Sequence, residues 1–325
     1  MTLAEVPSSL HDAIHTVLID CLSIKEHDDV LIVTDTGSGR RRVAEALAAG
    51  ARRLGAETML AEISERESDG AEPPAAIAAA MLTSDVVIAS TTKSLSHTRA
   101  RKQANDEGAR VATMPGVTEE ILVRTMGADY GGIKRRTAAL AEILTRGSEV
   151  RVTSEGGTDV SFGIRGRGAV SDDGDIREPG AFGNLPAGEV YLAPLEGSTN
   201  GRIAFDGAVD PIPGILDEPI IVEVEGGFAE RFYGPRGAEW RAIMEPHGKE
   251  AFNVAELGIG TNEKARLTGN VIEDEKVMGT IHIAFGDNHT FGGTVEVASH
   301  LDGVVTFPTV QIDGRKILDR GRVLI

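Results

Sequence analysis

The chain has 325 residues, with 33 basic against 50 acidic side chains and a formal net charge of −17. That length suits two domains of roughly 100–200 residues each, able to bury a core without disulfide or metal staples. An acidic chain without a basic cluster is a poor partner for nucleic acid or an anionic membrane, and no apolar run approaches the ~18 residues of a membrane span.

The charge is uneven. Residues 1–147 carry 17 Lys/Arg and 21 Asp/Glu, a balance of −4, whereas residues 148–325 carry −13 and 28 of the 39 glycines. Cys21 is the only cysteine, which excludes an internal disulfide and a thiolate zinc site. Any metal must therefore be held by His, Asp and Glu. The first residues are polar and acidic, without the basic start of a secretory signal, so a cytoplasmic location is expected.

In the first part strands and helices alternate. Residues 28–35 (DDVLIVTD) read as a buried strand, followed by a DTGSG turn and a helix over 40–54. Strands follow at 57–63, 85–90 and 110–114, and helices at 74–82, 96–107, 118–126 and 133–145. Thr118 is placed to cap its helix, with Glu119 and Glu120 at the positive end of the dipole. This alternation predicts parallel βαβ units and a three-layer, Rossmann-like or flavodoxin-like α/β domain over residues 1–147. Gly37 and Gly39 fit the start of a phosphate-binding turn, with Glu62 at the end of the next strand. The third glycine is absent, so a simple tight turn is the better reading.

After residue 147 the pattern changes to short strands punctuated by Gly, Pro and Asp, near 149–153, 159–164, 189–192, 220–225, 228–232, 280–285, 304–307 and 310–312. A short helix is expected within 246–254 and a long functional loop over 165–186. The second domain, 148–325, is thus expected to be a β-rich α+β domain that binds metal.

Its polar residues sharpen that expectation. If Ser299-His300-Leu301-Asp302 is extended, His300 and Asp302 point to one face and can reach one cation. His282 lies in an apolar strand, on which an adjacent strand can set His300 beside it. Glu256, in VAELGIG, and Glu189, in NLPAGEV, are costly to bury unless paired or bound to metal. Three carboxylates and two imidazoles suit a pair of divalent cations such as Zn, Co, Mn or Fe, about 3.5–4 Å apart and sharing a water. Glu273-Asp274-Glu275 reads as a solvated acidic turn from which Glu275 approaches the metals.

The segments NLPAGEV, AELGIGTN, EDEKVMGTIHIAFGDN and SHLDGVV resemble the aminopeptidase T/aminopeptidase S metallopeptidase family. The resemblance implies a two-domain, typically dimeric metalloenzyme with Glu189, Glu256, His282, His300 and Asp302 as dinuclear ligands. It departs from the family at His289, which stands where the peptidases carry a tyrosine, seven residues after the strand histidine, and in being shorter. A divergent branch is similar to 2,5-dihydroxypyridine 5,6-dioxygenase, which uses one Fe(II) held by two histidines and an aspartate. His300 and Asp302 fit that branch, but its other histidine falls where this chain has Glu256. His247, nine residues earlier, is the candidate to replace it.

The expectation is a metal-dependent hydrolase of an amide or peptide bond in a small substrate or short peptide. Metal-activated water would attack, with His289 or Glu189 moving the proton and Asp159 and His247 facing the substrate. The alternative is the Fe(II) ring-cleaving dioxygenase. The 4% aromatic content leaves enough rings for a small aromatic ligand but not for a broad stacking platform.

Overall fold

The computed structural model describes residues 8–37 and 39–325, and these divide into two compact units. Ser38, in the middle of the DTGSG turn, and residues 1–7 lie outside the described residues.

The first unit comprises residues up to Tyr130 together with Gly174–Ala187. Its five-stranded sheet is parallel, in the order Glu57–Ile63, Asp29–Asp35, Val86–Ser90, Arg110–Thr113, Phe182–Asn184. The strand Asp29–Asp35 is paired on both sides and buried along nearly its whole length, which is why it reads as a continuous apolar run. Helix Arg40–Arg53 turns Val43, Ala44, Leu47 and Ala51 inward at helical spacing. Thr118 does cap its helix, its side chain accepting from the Ile121 amide at 3.2 Å. The parallel sheet expected from the alternation is present. The fifth strand comes from within the segment read as a loop. It is fastened by the Asn184 side-chain oxygen, which accepts from Thr113 Oγ1 at 2.5 Å and Ser96 Oγ at 3.0 Å.

The Gly37 turn is filled from within. The Asp35 carboxylate accepts from the Gly37 amide at 3.0 Å and from the Thr92 amide and hydroxyl at 2.5 and 2.9 Å. A Cβ on Gly37 would lie 2.0 Å from Thr92 Oγ1. The glycine thus serves close packing, and a carboxylate stands where a phosphate would need positive charge.

The second unit comprises Gly131–Asp173 and Gly188–Ile325. Helix Tyr130–Arg146, given to the first domain by the boundary read at residue 147, runs almost wholly in this unit. An eight-stranded antiparallel sheet has the order Phe228–Tyr233, Ile220–Glu225, Asn200–Phe205, Asp159–Gly163, Glu149–Thr153, Thr309–Ile312, Arg315–Asp319, Arg322–Val323. A five-stranded antiparallel sheet has the order His300–Val305, Ile281–Gly286, Val254–Gly260, Glu189–Leu192, Val170–Asp172. Inward side chains of both sheets, with Leu140 and Leu144 of the helix, share one core. Trp240 lies at its centre, fully buried and edge-on to Phe205, Phe232 and Phe285, with ring centroids 5.0, 6.1 and 5.5 Å away. Its indole N–H donates to the Asp210 carbonyl at 2.7 Å.

Replacing Trp240 with Ala removes that aromatic hub and leaves a void. We expect a loss of about 3–5 kcal/mol in stability, read from the shift of the denaturant-unfolding midpoint.

Candidate metal centre

The five-stranded sheet has two unlike faces because successive residues of a strand alternate in direction. Val190, Leu192, Leu257, Ile259, Ile281, Ile283, Phe285, Leu301 and Val305 face the core. Their neighbours Glu189, Glu256, His282, His300 and Asp302 take the other face. Register places them in rows: Gly260 opposite Glu189, Gly258 between Tyr191 and His282, Ala284 between Glu256 and Asp302, and Gly286 opposite His300. The residues opposite or between the functional ones are thus small.

Two local devices make this face possible. Val254 and Glu256 are two residues apart and would share a face in a regular strand, yet Val254 lies in the core. The register shift between them inserts one extra residue, so that Glu256 points away from the core. Gly258 lies directly beneath the imidazole of His282, and a Cβ there would fall 1.9 Å from Cε1 and 2.0 Å from Nε2.

The donors converge. His282 Nε2 lies 3.0 Å from Glu256 Oε1 and 3.4 Å from Glu189 Oε2, while His300 Nε2 lies 3.4 Å from Glu256 Oε2 and 3.8 Å from Asp302 Oδ1. His300 Nδ1 meets the Asp287 carbonyl at 2.8 Å, which fixes the ring and turns Nε2 toward the carboxylates. Ligand atoms of Glu256, His282 and Asp302 all lie within 4.8 Å of one another, as do those of Glu189, Glu275 and His282. Glu189 Oε2 and His282 Nδ1 are buried without a hydrogen-bond partner. Buried carboxylates and imidazoles with unused lone pairs suit a divalent cation.

Sequence reasoning did not find Lys276. Its side chain is fully buried, with Nζ 2.6 Å from Glu189 Oε1, 2.5 Å from Glu275 Oε1 and 3.9 Å from Asp172 Oδ2. The turn around it is not solvated as expected. Glu273 and Asp274 are fully buried because they accept from backbone amides, Glu273 from Arg266 at 3.0 Å, and Asp274 from Thr268 at 2.7 Å and Gly269 at 2.8 Å. Tyr191 and Phe291 add an aromatic edge, their rings 5.5 Å apart and Phe291 6.0 Å from the His300 ring.

Of the other sequence candidates, Asp159 and His247 are exposed, whereas His289 lies in the short helix His289–Phe291 beside His300. Asp159 pairs with Arg151 at 3.0 and 3.1 Å on the exposed face of the eight-stranded sheet. His247 is exposed at the end of the short helix Glu245–His247. His289 bonds Asp287 at 2.8 Å and is nearly half exposed.

Electrostatics follow from crowding. Burial works against charging His282 and His300. It is outweighed by the Glu256 hydrogen bond and by Glu189 and Asp302 for His282, and by Asp302 and Glu256 for His300. Both imidazoles are held up to about 10. Burial would raise Glu256, but the two imidazoles hold it down to about 2. Burial lifts the Glu275 carboxyl to about 8, against the pull of Lys276 and helped by the charges of Glu189 and Asp302. Burial likewise raises Asp302.

Against this geometry, the model of the family NicX, 2,5-dihydroxypyridine 5,6-dioxygenase, matches residues 9–325. The chain belongs to this family. Among curated proteins, the 2,5-dihydroxypyridine 5,6-dioxygenase of Pseudomonas putida KT2440 is 25% identical over 248 residues, spanning 72% of this chain and 69% of that protein. The structure of 2,5-dihydroxypyridine dioxygenase from Pseudomonas putida KT2440 superposes with a TM-score of 0.84 at 21% identity, covering 97% of this chain and 96% of that one. Wild-type AmpT from Thermus thermophilus superposes at 0.70 with 18% identity, covering 98% and 99%. The aminopeptidase-like fold is therefore present.

The family match corrects the expectation of a hydrolase or aminopeptidase acting on an amide or peptide bond. That expectation rested on a carboxylate–imidazole ligand set, and such a set holds a divalent cation for either chemistry. Among the described residues, no helix is long and apolar enough to cross a membrane.

Two outcomes follow. Gly258→Ala pushes the His282 ring off its seat, and divalent-metal affinity is expected to fall roughly 10–100-fold with the fold retained, as measured by titration and circular dichroism. In protein with no metal added, His282 and His300 near 10, against 6.5 when unfolded, favour the native state fully below pH 6.5. That contribution is lost as pH rises toward 10, so the urea midpoint should fall across this interval.

Proposed function

We propose that the chain is an Fe(II)-dependent ring-cleaving dioxygenase acting on 2,5-dihydroxypyridine or a closely similar hydroxylated N-heteroaromatic compound. The observation carrying this reading is the convergence of His282, His300, Glu256 and Asp302 on one sheet face, in a chain of the dioxygenase family. Two imidazoles with a carboxylate are the donor set that holds non-haem ferrous ion with coordination positions left open. His282, His300 and Asp302 supply that set here, with Glu256 beside them. When bound, the ferrous ion supplies the O2 chemistry and a Lewis acid for the ring hydroxyl.

The remaining work belongs to the chain. Glu256, ionised, uses one carboxylate oxygen on each imidazole and so keeps the two rings in a fixed relation. The Asp287 carbonyl holds His300 from its other nitrogen. Phe291, edge-on to both Tyr191 and His300, offers a flat apolar wall beside the donors, against which a small planar ring can be oriented.

The test is O2 uptake and loss of ring absorbance with 2,5-dihydroxypyridine after anaerobic loading with Fe(II). One O2 per ring is expected, and His300→Ala and Asp302→Ala should each lower turnover at least ~100-fold together with iron content. Iron-loaded protein that consumes no O2 with hydroxylated pyridines would sink the reading.

A further inference from the structure

We propose that the Lys276 ammonium is a built-in cation occupying the Glu189–Glu275 half of the acidic cluster, so that the centre takes a single divalent metal in the half formed by Glu256, His282 and Asp302, with His300 beside it. The inference rests on the reading of this cluster as a metal centre.

The cluster offers two places compact enough for an ion, and they share His282. In one, Glu189 Oε1 and Glu275 Oε1 are already engaged by Lys276, which leaves Glu189 Oε2 as the oxygen of Glu189 without a hydrogen bond. Lys276 Nζ is 2.6 Å from Glu189 Oε1 and 2.5 Å from Glu275 Oε1, with Asp172 Oδ2 at 3.9 Å. A metal binding those same oxygens would sit about 2.0–2.2 Å from each. That would place it against the ammonium, two like charges at contact distance in a buried site. In the other place, Glu256 is engaged only by the two imidazoles that would themselves be ligands.

The ammonium is held in place by its backbone. The Lys276 amide donates to the Glu273 carbonyl at 3.0 Å, and the Lys276 carbonyl accepts from the Asn262 amide at 2.9 Å. The next residue lies hard against the sheet, since a Cβ on Gly260 would be 2.1 Å from the Val277 carbonyl oxygen. The side chain is fully buried among its partners, so withdrawing the ammonium would mean moving this whole turn. Glu189 is then an anchor for Lys276 rather than a metal ligand. Its second oxygen, without a hydrogen bond, lies 3.4 Å from His282 Nε2.

The experiment is anaerobic titration of the full chain with Co2+, with bound metal counted by elemental analysis after gel filtration and folding followed by circular dichroism. Wild type is expected to bind one equivalent, Lys276→Arg one, and folded Lys276→Met two. Glu189→Gln, nearly isosteric and keeping the ammonium, should still bind one equivalent with affinity within about threefold, whereas Asp302→Asn should lose it. Two equivalents in the wild type, one in folded Lys276→Met, or loss of metal in Glu189→Gln would each overturn the role of Lys276 while leaving a metal centre standing. A wild type that binds no Co2+ removes the metal-centre reading itself, and the inference with it.

Discussion

Carboxylates crowded onto one face of a buried sheet repel one another and cannot be desolvated alone. Asp172, Glu189, Glu256, Glu275 and Asp302 approach a common region of the second unit, and each is buried or nearly so. Every nearby cationic group answers that crowding. Two imidazoles bracket Glu256 and an ammonium bridges Glu189 and Glu275. The high imidazole values, the depressed Glu256 and the raised Glu275 are one effect seen from different residues. Without metal, charge is balanced by protons on the imidazoles, and a divalent cation would displace them.

The scaffold tolerates this because the opposite face of the same sheet is wholly apolar. Leu257, Ile259, Ile281, Ile283 and Phe285 bind the sheet into a core shared with the larger sheet, around Trp240 and Phe205. The polar face is rigid because its strands are pinned from behind. It is roomy because glycine and alanine stand beside the functional side chains. Precision of the site is thus a product of packing on the far side.

Much of this was legible in the sequence. The strands of the first unit are long apolar runs ended by turns, and Thr118 with its two glutamates marks a helix start. Glu189, Glu256, His282, His300 and Asp302 were visible as polar residues out of place in apolar strands, and the structure gathers them. The strand Phe182–Asn184 was hidden because three residues, FGN, carry no periodicity and pair only with a distant strand. Lys276 was hidden by its setting. In Glu273-Asp274-Glu275-Lys276 a lysine reads as one more solvated charge, and only the tertiary fold shows the acids bonded inward. The reaction was hidden for a chemical reason, since oxygen and imidazole donors specify a cation and leave open what it does. Asp159 and His247 are residues of suitable type that the structure places on the surface.

The extra residue at Val254–Glu256 changes how this strand should be compared with any other. Along it, residue count and side-chain direction fall out of step, so counting by twos across the bulge assigns core residues to the site and site residues to the core. An insertion or deletion of one residue here exchanges the two faces of everything beyond it. Length at this point is therefore part of the chemistry, as surely as the identity of Glu256.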